Sequence, residues 1–179
     1  MLDDKAKISQ LDSKNMLGSI QLLGNQVEEV LAQAKKVKIP SSYKKINILV
    51  VLGMGGSALG AHFIKSVFSD SLKIPVEIVN GYQAPEFVNE NSLVIASSYS
   101  GSTEEILSAV VDAKKKKAKI MVICSGGKLA DWAKQNKAPS LIFSTNNNPC
   151  GSPRMGLGYS IFGQIALLAN IELLKLNNK

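Results

Sequence analysis

The sequence predicts an α/β fold with a five-stranded parallel sheet between two layers of helices, a three-layer αβα sandwich. From residue 46 onward, short apolar runs alternate with amphipathic segments, as strands and helices alternate in parallel βαβ units. The runs are rich in β-branched residues, which is typical of strands buried on both faces. With right-handed crossovers, five such strands give the doubly wound, flavodoxin-like order 2-1-3-4-5.

The first 40 residues are predicted to be helical. Pro40 and the serines after it end this segment. We expect residues 1–40 to be a helical cover of the same domain without chemistry, and residues 41–179 to form a single domain. The helix prediction rests on apolar residues at three- and four-residue steps, which form one stripe: Leu17, Ile20, Leu23, Val27, Val30, Leu31 and Ala34.

The strands and helices of the sheet region follow in order. We expect strands at 46–52, 76–79, 93–98, 119–123 and 140–143, and helices at 58–68, 103–115, 128–135 and 155–176. The apolar side of the last helix can pack on its own sheet or on another subunit or domain, and the sequence leaves both open. That side consists of Ile161, Ile165, Leu168 and Ile171.

Composition and charge disfavour several classes of protein. The apolar runs have the length of strands, and the polar start does not resemble a signal peptide, so we expect a cytoplasmic protein without a membrane partner. Cys124 and Cys150 are too few for a disulfide framework or a zinc site, and we expect Cys124 to be a free buried thiol. The net charge of +7 suits an anionic ligand. Lys114–Lys117 lies at a predicted helix end and lacks aromatic neighbours, so we expect no nucleic-acid partner.

Two glycine- and hydroxyl-rich turns follow strands 1 and 3, where ligands bind in a doubly wound sheet. The first turn contains Gly55, Gly56 and Ser57, whose backbone can approach a ligand closely at the start of a helix. The alternative is a tight turn without a ligand. Gly53-x-Gly55-x-x-Ala58 also fits the dinucleotide fingerprint, but strand 2 ends at Asn80 where that fingerprint requires an acidic residue. A P-loop is excluded because no Lys-Ser/Thr pair follows.

The second turn gathers four hydroxyls at one strand-to-helix junction: Ser98, Ser100, Ser102 and Thr103. Hydroxyls donate hydrogen bonds to phosphate, and the amides of the turn can complete an anion site. The alternative is a capping box between Ser102 and Glu105, which leaves Ser98 and Ser100 unexplained.

Arg154 is the single arginine among 21 lysines and arginines, which suggests a site that needs the bidentate guanidinium fork. It follows the loop after strand 5, at the same end of the sheet as the two turns. The alternative is a chance surface arginine. His62, the only histidine, is more simply a solvated or packed helix residue than a catalytic one.

These motifs together resemble a SIS (sugar isomerase) domain, most closely the N-terminal half of the bifunctional phosphoglucose/phosphomannose isomerases. Three stretches carry the resemblance: 53–57 (GMGGS), 98–103 (SYSGST) and 153–159 (PRMGLGY). The second is common among SIS domains and implies phosphosugar binding. The third favours the bifunctional isomerases.

The resemblance implies an aldose–ketose isomerase of sugar-phosphate metabolism (glycolysis or gluconeogenesis) that needs no metal or cofactor. Ser98, Ser100 and Thr103 would hold the phosphate, the first turn would line the sugar, and Arg154 would stabilise the enediolate. In that family the carboxylate base and the ring-opening histidine belong to a second SIS domain, and the site is completed in a dimer. This chain has no counterpart of that domain, so we expect either part of a longer protein or a single SIS module that senses a phosphosugar without catalysis. An oxidoreductase domain that binds a nucleotide cofactor is a third alternative.

Overall fold

The computed structural model describes residues 4–175 and contains a parallel five-stranded sheet in the order β2-β1-β3-β4-β5. The strands are β1 (Ile48–Gly53), β2 (Val76–Val79), β3 (Ser92–Ser98), β4 (Lys119–Cys124) and β5 (Ser140–Ile142). β1 pairs with β2 on one side and with β3 on the other, so the strand order reverses between β1 and β3. The predicted fold class and strand order are confirmed.

Helices cover both faces of the sheet. In the described residues they are α1 (Lys5–Leu11), α2 (Met16–Gln21), α3 (Leu23–Ala34), α4 (Leu59–Val67), α5 (Glu104–Lys115), α6 (Gly127–Gln135) and α7 (Leu157–Asn170). α3, α4 and α7 share one hydrophobic core with the sheet, and α5 and α6 share the core on the opposite face. No helix among residues 4–175 combines the length and apolar character that a membrane crossing requires.

The N-terminal segment is not one helix, and its predicted apolar stripe is wrong over the first half. The Asp12 carboxylate accepts hydrogen bonds from two amides at the start of α2, and Asn15 is left-handed, with φ of 56°. Val30 and Ala34 are buried where α3 packs into the core that it shares with α4, α7 and the sheet. The first three residues of the stripe are 43–56% exposed: Leu17, Ile20 and Leu23. The division at residue 40 stays a prediction.

The last helix is shorter than the predicted 155–176. Pro153–Met155 forms a separate 3₁₀ turn, and α7 ends at Asn170, before Glu172 takes a left-handed φ of 63°. Leu176 lies outside the described residues. The apolar side of α7 packs into its own core, which decides between the two alternatives for this helix: Ile165, Leu168 and Ile171 are at most 4% exposed, and Ile161 is partly buried.

The lysine run ends a helix, as predicted. α5 ends at Lys115, and Lys117 is left-handed with φ of 63°. The Lys116 ammonium donates a 2.7 Å hydrogen bond to the carbonyl of Ala84 and lies 3.1 Å from the Glu86 carboxylate. This lysine therefore anchors a neighbouring loop to the end of the helix.

Candidate functional site

The structure brings the first and second turns together at the carboxyl edge of the sheet. β1 and β3 are neighbours in register, with Gly53 opposite Ser97. The buried Ser57 links the two turns, because its Oγ accepts a 2.9 Å hydrogen bond from the amide of Tyr99. Its carbonyl accepts a 2.9 Å hydrogen bond from Ser97 Oγ. The two turns therefore form one continuous surface.

Gln164 of α7 lies directly beneath this junction and was not predicted from the sequence. Its side chain is fully buried, and its Nε2 donates hydrogen bonds of 3.2 Å to the carbonyl of Ser57 and to Ser97 Oγ. Burial of the Nε2 donors without such acceptors would be costly, so these two hydrogen bonds help to fix α7 against the two turns. The available signal was a single glutamine within the apolar run 161–169.

The glycines of the first turn allow the backbone around Arg154 to pack closely against this turn. Gly55 adopts a left-handed φ of 53° that favours glycine. At Gly56, a Cβ atom would lie 3.4 Å from the carbonyl oxygen of Pro153 and 3.6 Å from Cα of Arg154. The backbone that carries Arg154 thus packs directly against the first turn.

The hydroxyls of the second turn divide into an inner and an outer set. Ser98 is 2% exposed, and its Oγ accepts a 3.1 Å hydrogen bond from the Gly101 amide and lies 2.8 Å from Thr103 Oγ1. Ser100 and Ser102 are exposed, and Ser100 Oγ accepts a 3.2 Å hydrogen bond from the Ser102 amide. Ser98 therefore orders the turn from beneath, while the outer hydroxyls face solvent.

The capping-box alternative for the second turn is wrong. α5 begins at Glu104, so Thr103 and not Ser102 is the N-cap residue. The Thr103 side chain accepts no hydrogen bond from the first turn of α5. The backbone amides at the N-terminus of α5, the positive end of the helix dipole, are thus left without a side-chain cap. This arrangement favours binding of an anion.

A third turn, Ser125–Gly127 after β4, supports the second and was also missed from the sequence. A Cβ atom at Gly101, where φ is 66°, would lie 1.8 Å from the carbonyl oxygen of Gly126. The Ser125 amide donates a 2.9 Å hydrogen bond to the carbonyl of Tyr99. The two consecutive glycines after a strand were the signal in the sequence.

Residues 152–158, the Arg154 segment, lie at this same edge of the sheet. The buried Asn148 donates hydrogen bonds of 2.8 Å to the carbonyl of Ser152 and 2.6 Å to the Tyr99 hydroxyl. Burial raises the pKa of Tyr99, although the hydrogen bond from Asn148 acts in the opposite direction. Arg154 is exposed and takes part in none of the ion pairs formed within residues 4–175.

Glu29 of α3 binds the loop before the Arg154 segment. Its carboxylate accepts hydrogen bonds from Ser144 Oγ at 2.5 Å, Asn147 Nδ2 at 2.8 Å, the Tyr159 hydroxyl at 2.9 Å and Gln33 Nε2 at 3.1 Å. Burial acts to raise the pKa of Glu29, but these four donated hydrogen bonds outweigh it and leave the pKa below its ordinary value. Burial and the bond to the Glu29 carboxylate raise the pKa of Tyr159 to about 12.

The remaining residues singled out in the sequence lie apart from this surface or support it. His62 is exposed on α4, and Cys124 is buried, which raises the pKa of its thiol to about 11. Asn80, at the end of β2, donates a 2.6 Å hydrogen bond to the carbonyl of Gly53. The position where a dinucleotide site needs an acid therefore holds an amide that braces the first turn. Residues 4–175 contain no cluster of three His, Cys, Asp or Glu side chains suited to a metal ion.

The family model for the SIS domain matches residues 42–148, which is more than half of the chain. This protein therefore belongs to the SIS domain family. The match covers both turns and ends shortly before the Arg154 segment.

Individual relatives are consistent with this family. The chain is 37% identical over 161 residues to the bifunctional phosphoglucose/phosphomannose isomerase of Caldicellulosiruptor bescii, covering 89% of this chain and 46% of that protein. It is 39% identical over 135 residues to the protein of the same name from Thermoplasma acidophilum, covering 74% of this chain and 40% of the relative. The chain thus spans less than half the length of these curated relatives.

A likeness to solved structures extends over nearly the whole chain. The Vibrio vulnificus NanR protein, solved in complex with ManNAc-6P, superposes with a TM-score of 0.60 at 13% sequence identity. The alignment covers 93% of this chain and 66% of that one. At this identity the comparison shows a shared fold.

Proposed function

We propose that this chain is the phosphate-binding SIS domain of a phosphoglucose/phosphomannose isomerase, which interconverts glucose 6-phosphate or mannose 6-phosphate with fructose 6-phosphate. One observation carries the proposal: two Gly/Ser/Thr turns and the Arg154 segment meet at a single sheet edge. The identity of 37–39% to proteins with this name supports the choice of substrates.

The phosphate group would bind at the second turn, over the N-terminus of α5. Ser100, Ser102 and Thr103 offer hydroxyl donors there, and the uncapped amides of α5 favour an anion. Ser98 would act from beneath, through the hydroxyl contact that it shares with Thr103. Gly55, Gly56 and Ser57 would line the sugar on the neighbouring turn.

Arg154 would stabilise the transition state. In an aldose–ketose isomerisation, a base removes a proton from C1 or C2 of the open-chain sugar, and negative charge develops on an oxygen of the enediolate. A guanidinium aimed at that oxygen lowers the barrier electrostatically. Arg154 is free of carboxylate partners within residues 4–175, which leaves its fork available to the substrate.

A second SIS domain or a second subunit would supply the carboxylate base. The chain covers 46% of a relative that carries the whole activity by name, which leaves room for such a domain. α4 also presents apolar residues at four-residue steps that are 39–57% exposed: Leu59, Phe63 and Val67. An exposed apolar stripe of this kind supports docking of another domain or a homodimer partner.

A thermal melt with fructose 6-phosphate tests the binding site directly. A ligand at 100 times its dissociation constant stabilises a protein by about 2.7 kcal/mol, so the melting temperature should rise visibly. Inorganic phosphate and fructose at equal concentration should have a far smaller effect. The Ser100→Ala variant should lose the shift, whereas Ser108→Ala, at an exposed serine further along α5, should keep it. An undiminished shift in Ser100→Ala would show that the second turn is not the site.

A phosphosugar-sensing module without catalysis is the second candidate, because the fold matches that of NanR in complex with ManNAc-6P. Both candidates predict binding, so the assay that separates them is isomerisation. Conversion of fructose 6-phosphate by the full-length gene product would support the isomerase candidate. Binding without conversion would support the sensing module.

A further inference from the structure

Gln26 of α3 contacts the backbone on both sides of Arg154. The side chain is fully buried. Its Nε2 donates hydrogen bonds of 2.9 Å to the carbonyls of Met155 and Asn147, and its Oε1 accepts a 3.2 Å hydrogen bond from the amide of Gly158. The Nε2 and Oε1 atoms of this one side chain thus bind backbone groups both before and after Arg154.

The backbone groups that Gln26 binds have few other partners available. Gly158 lies in the first turn of α7, where helix amides lack intrahelical acceptors, and no side chain caps this helix at its N-cap residue, Gly156. The approach is also close, because a Cβ atom at Gly158 would lie 2.6 Å from Cβ of Gln26. Hydrophobic packing of α3 alone would leave these buried polar groups unpaired, at a cost in stability.

We infer that Gln26 is a positioning residue for Arg154, an inference that rests on the proposed function. Arg154 is exposed, and no ion pair within residues 4–175 orients its side chain. Its orientation depends on the backbone beneath it, which is tied at Ser152 by Asn148 and at Met155 and Gly158 by Gln26. Misplacement of a catalytic group by about 1 Å can cost about 100-fold in rate, so this backbone support matters for the arginine.

This positioning role would give α3, which lies outside the SIS family match, a function at the candidate site. Gln26 and Arg154 both lie beyond residues 42–148. Under this inference, the predicted helical cover would act on the chemistry indirectly, through the backbone of the Arg154 segment.

A double-mutant cycle between Gln26 and Arg154 tests the inference. Gln26→Met nearly preserves volume and removes the amide, and Val30→Ala, one turn further along α3, is the control for lost stability. The probe is 5-phosphoarabinonate, whose carboxylate mimics the enediolate charge. We expect Gln26→Met to raise the dissociation constant of 5-phosphoarabinonate about tenfold with Arg154 present and less than twofold in the Arg154→Ala background. Such non-additivity is expected when one residue acts through the other. Val30→Ala should leave the constant unchanged.

Amide hydrogen exchange in the free protein provides a readout that does not depend on ligand binding. Gln26→Met should increase exchange over residues 153–158 relative to Val30→Ala. Gly158→Ala, which places a methyl group against Gln26, should do the same and serves if Gln26→Met fails to fold. Equal exchange in the two α3 variants, or equal effects of Gln26→Met in both Arg154 backgrounds, would overturn the inference. If the wild-type protein binds neither 5-phosphoarabinonate nor fructose 6-phosphate, the proposed function is wrong, and exchange alone then decides whether Gln26 orders the Arg154 segment.

Discussion

The second turn and the Arg154 segment differ in the sequence separation of the hydrogen bonds that hold them. Ser98 bonds to Gly101 and Thr103, three and five residues away. The Arg154 segment is tied by Gln26, which bonds to Met155 at a separation of 129 residues. The composition of the second turn can thus be recognised from its own residues, whereas the Arg154 segment also depends on contacts that exist only after α3 has docked.

This contrast has consequences for folding and for mutation. A turn closed by local hydrogen bonds forms at little loop-closure cost, but contacts over more than a hundred residues depend on the whole domain. We therefore expect the Arg154 segment to lose order before the second turn when the fold is weakened. The following predictions test that contrast.

The largest expected effect is on catalysis, from the Arg154 segment. In the protein that carries both proposed domains, Arg154→Ala should lower kcat for fructose 6-phosphate isomerisation by about 10²–10³-fold, as for other groups that stabilise an oxyanion. Arg154→Lys should recover only part of the rate, because it restores the charge without the bidentate fork. Steady-state kinetics measure both. Full activity in Arg154→Ala would remove the arginine from the mechanism.

The second turn should be more sensitive in stability. Gly101→Ala should lower the free energy of unfolding by about 3 kcal/mol or more, because its φ of 66° strains alanine and its Cβ would meet the Gly126 carbonyl at 1.8 Å. Gly55→Ala is the matched control, since its φ of 53° imposes similar strain but no atom lies within 4 Å of the added Cβ. We expect about 1 kcal/mol there. Urea unfolding measures both, and equal losses would show that the third turn does not constrain the second.

The smallest effect concerns the carboxylate that secures the loop before the Arg154 segment. The pKa of Glu29 is lower in the folded protein than its ordinary value of 4.5, so its ionised form stabilises the fold. Glu29→Gln should cost about 1–2 kcal/mol at pH 7, where this contribution is fully present. The difference from wild type should shrink as the pH falls below 4.5 and the carboxylate becomes protonated.

Thermal melts from pH 7 to pH 3 measure this difference. Glu28→Gln, at the exposed neighbouring position, should show no comparable loss at pH 7. A Glu29→Gln deficit that stays constant across the whole pH range would contradict the assignment of the effect to the ionised carboxylate.

The sequence by itself determined the fold class, the strand order and the composition of the two turns. The residue types of a strand such as Ile48–Gly53 directly predict that it is buried. Gly, Ser and Thr have conformational and hydrogen-bonding properties that do not depend on the surrounding fold. The family resemblance stated from these motifs agrees with the SIS match over residues 42–148.

Only the tertiary structure decided which polar residues support the candidate site. Gln26, Glu29 and Gln164 stand in helical segments where spacing says nothing of a distant partner. The same limit explains the wrong stripe in residues 17–23, because periodicity reports a helix face but not whether another element covers it. A buried amide is stable only where packing brings it complementary groups, and that depends on the arrangement of the whole chain.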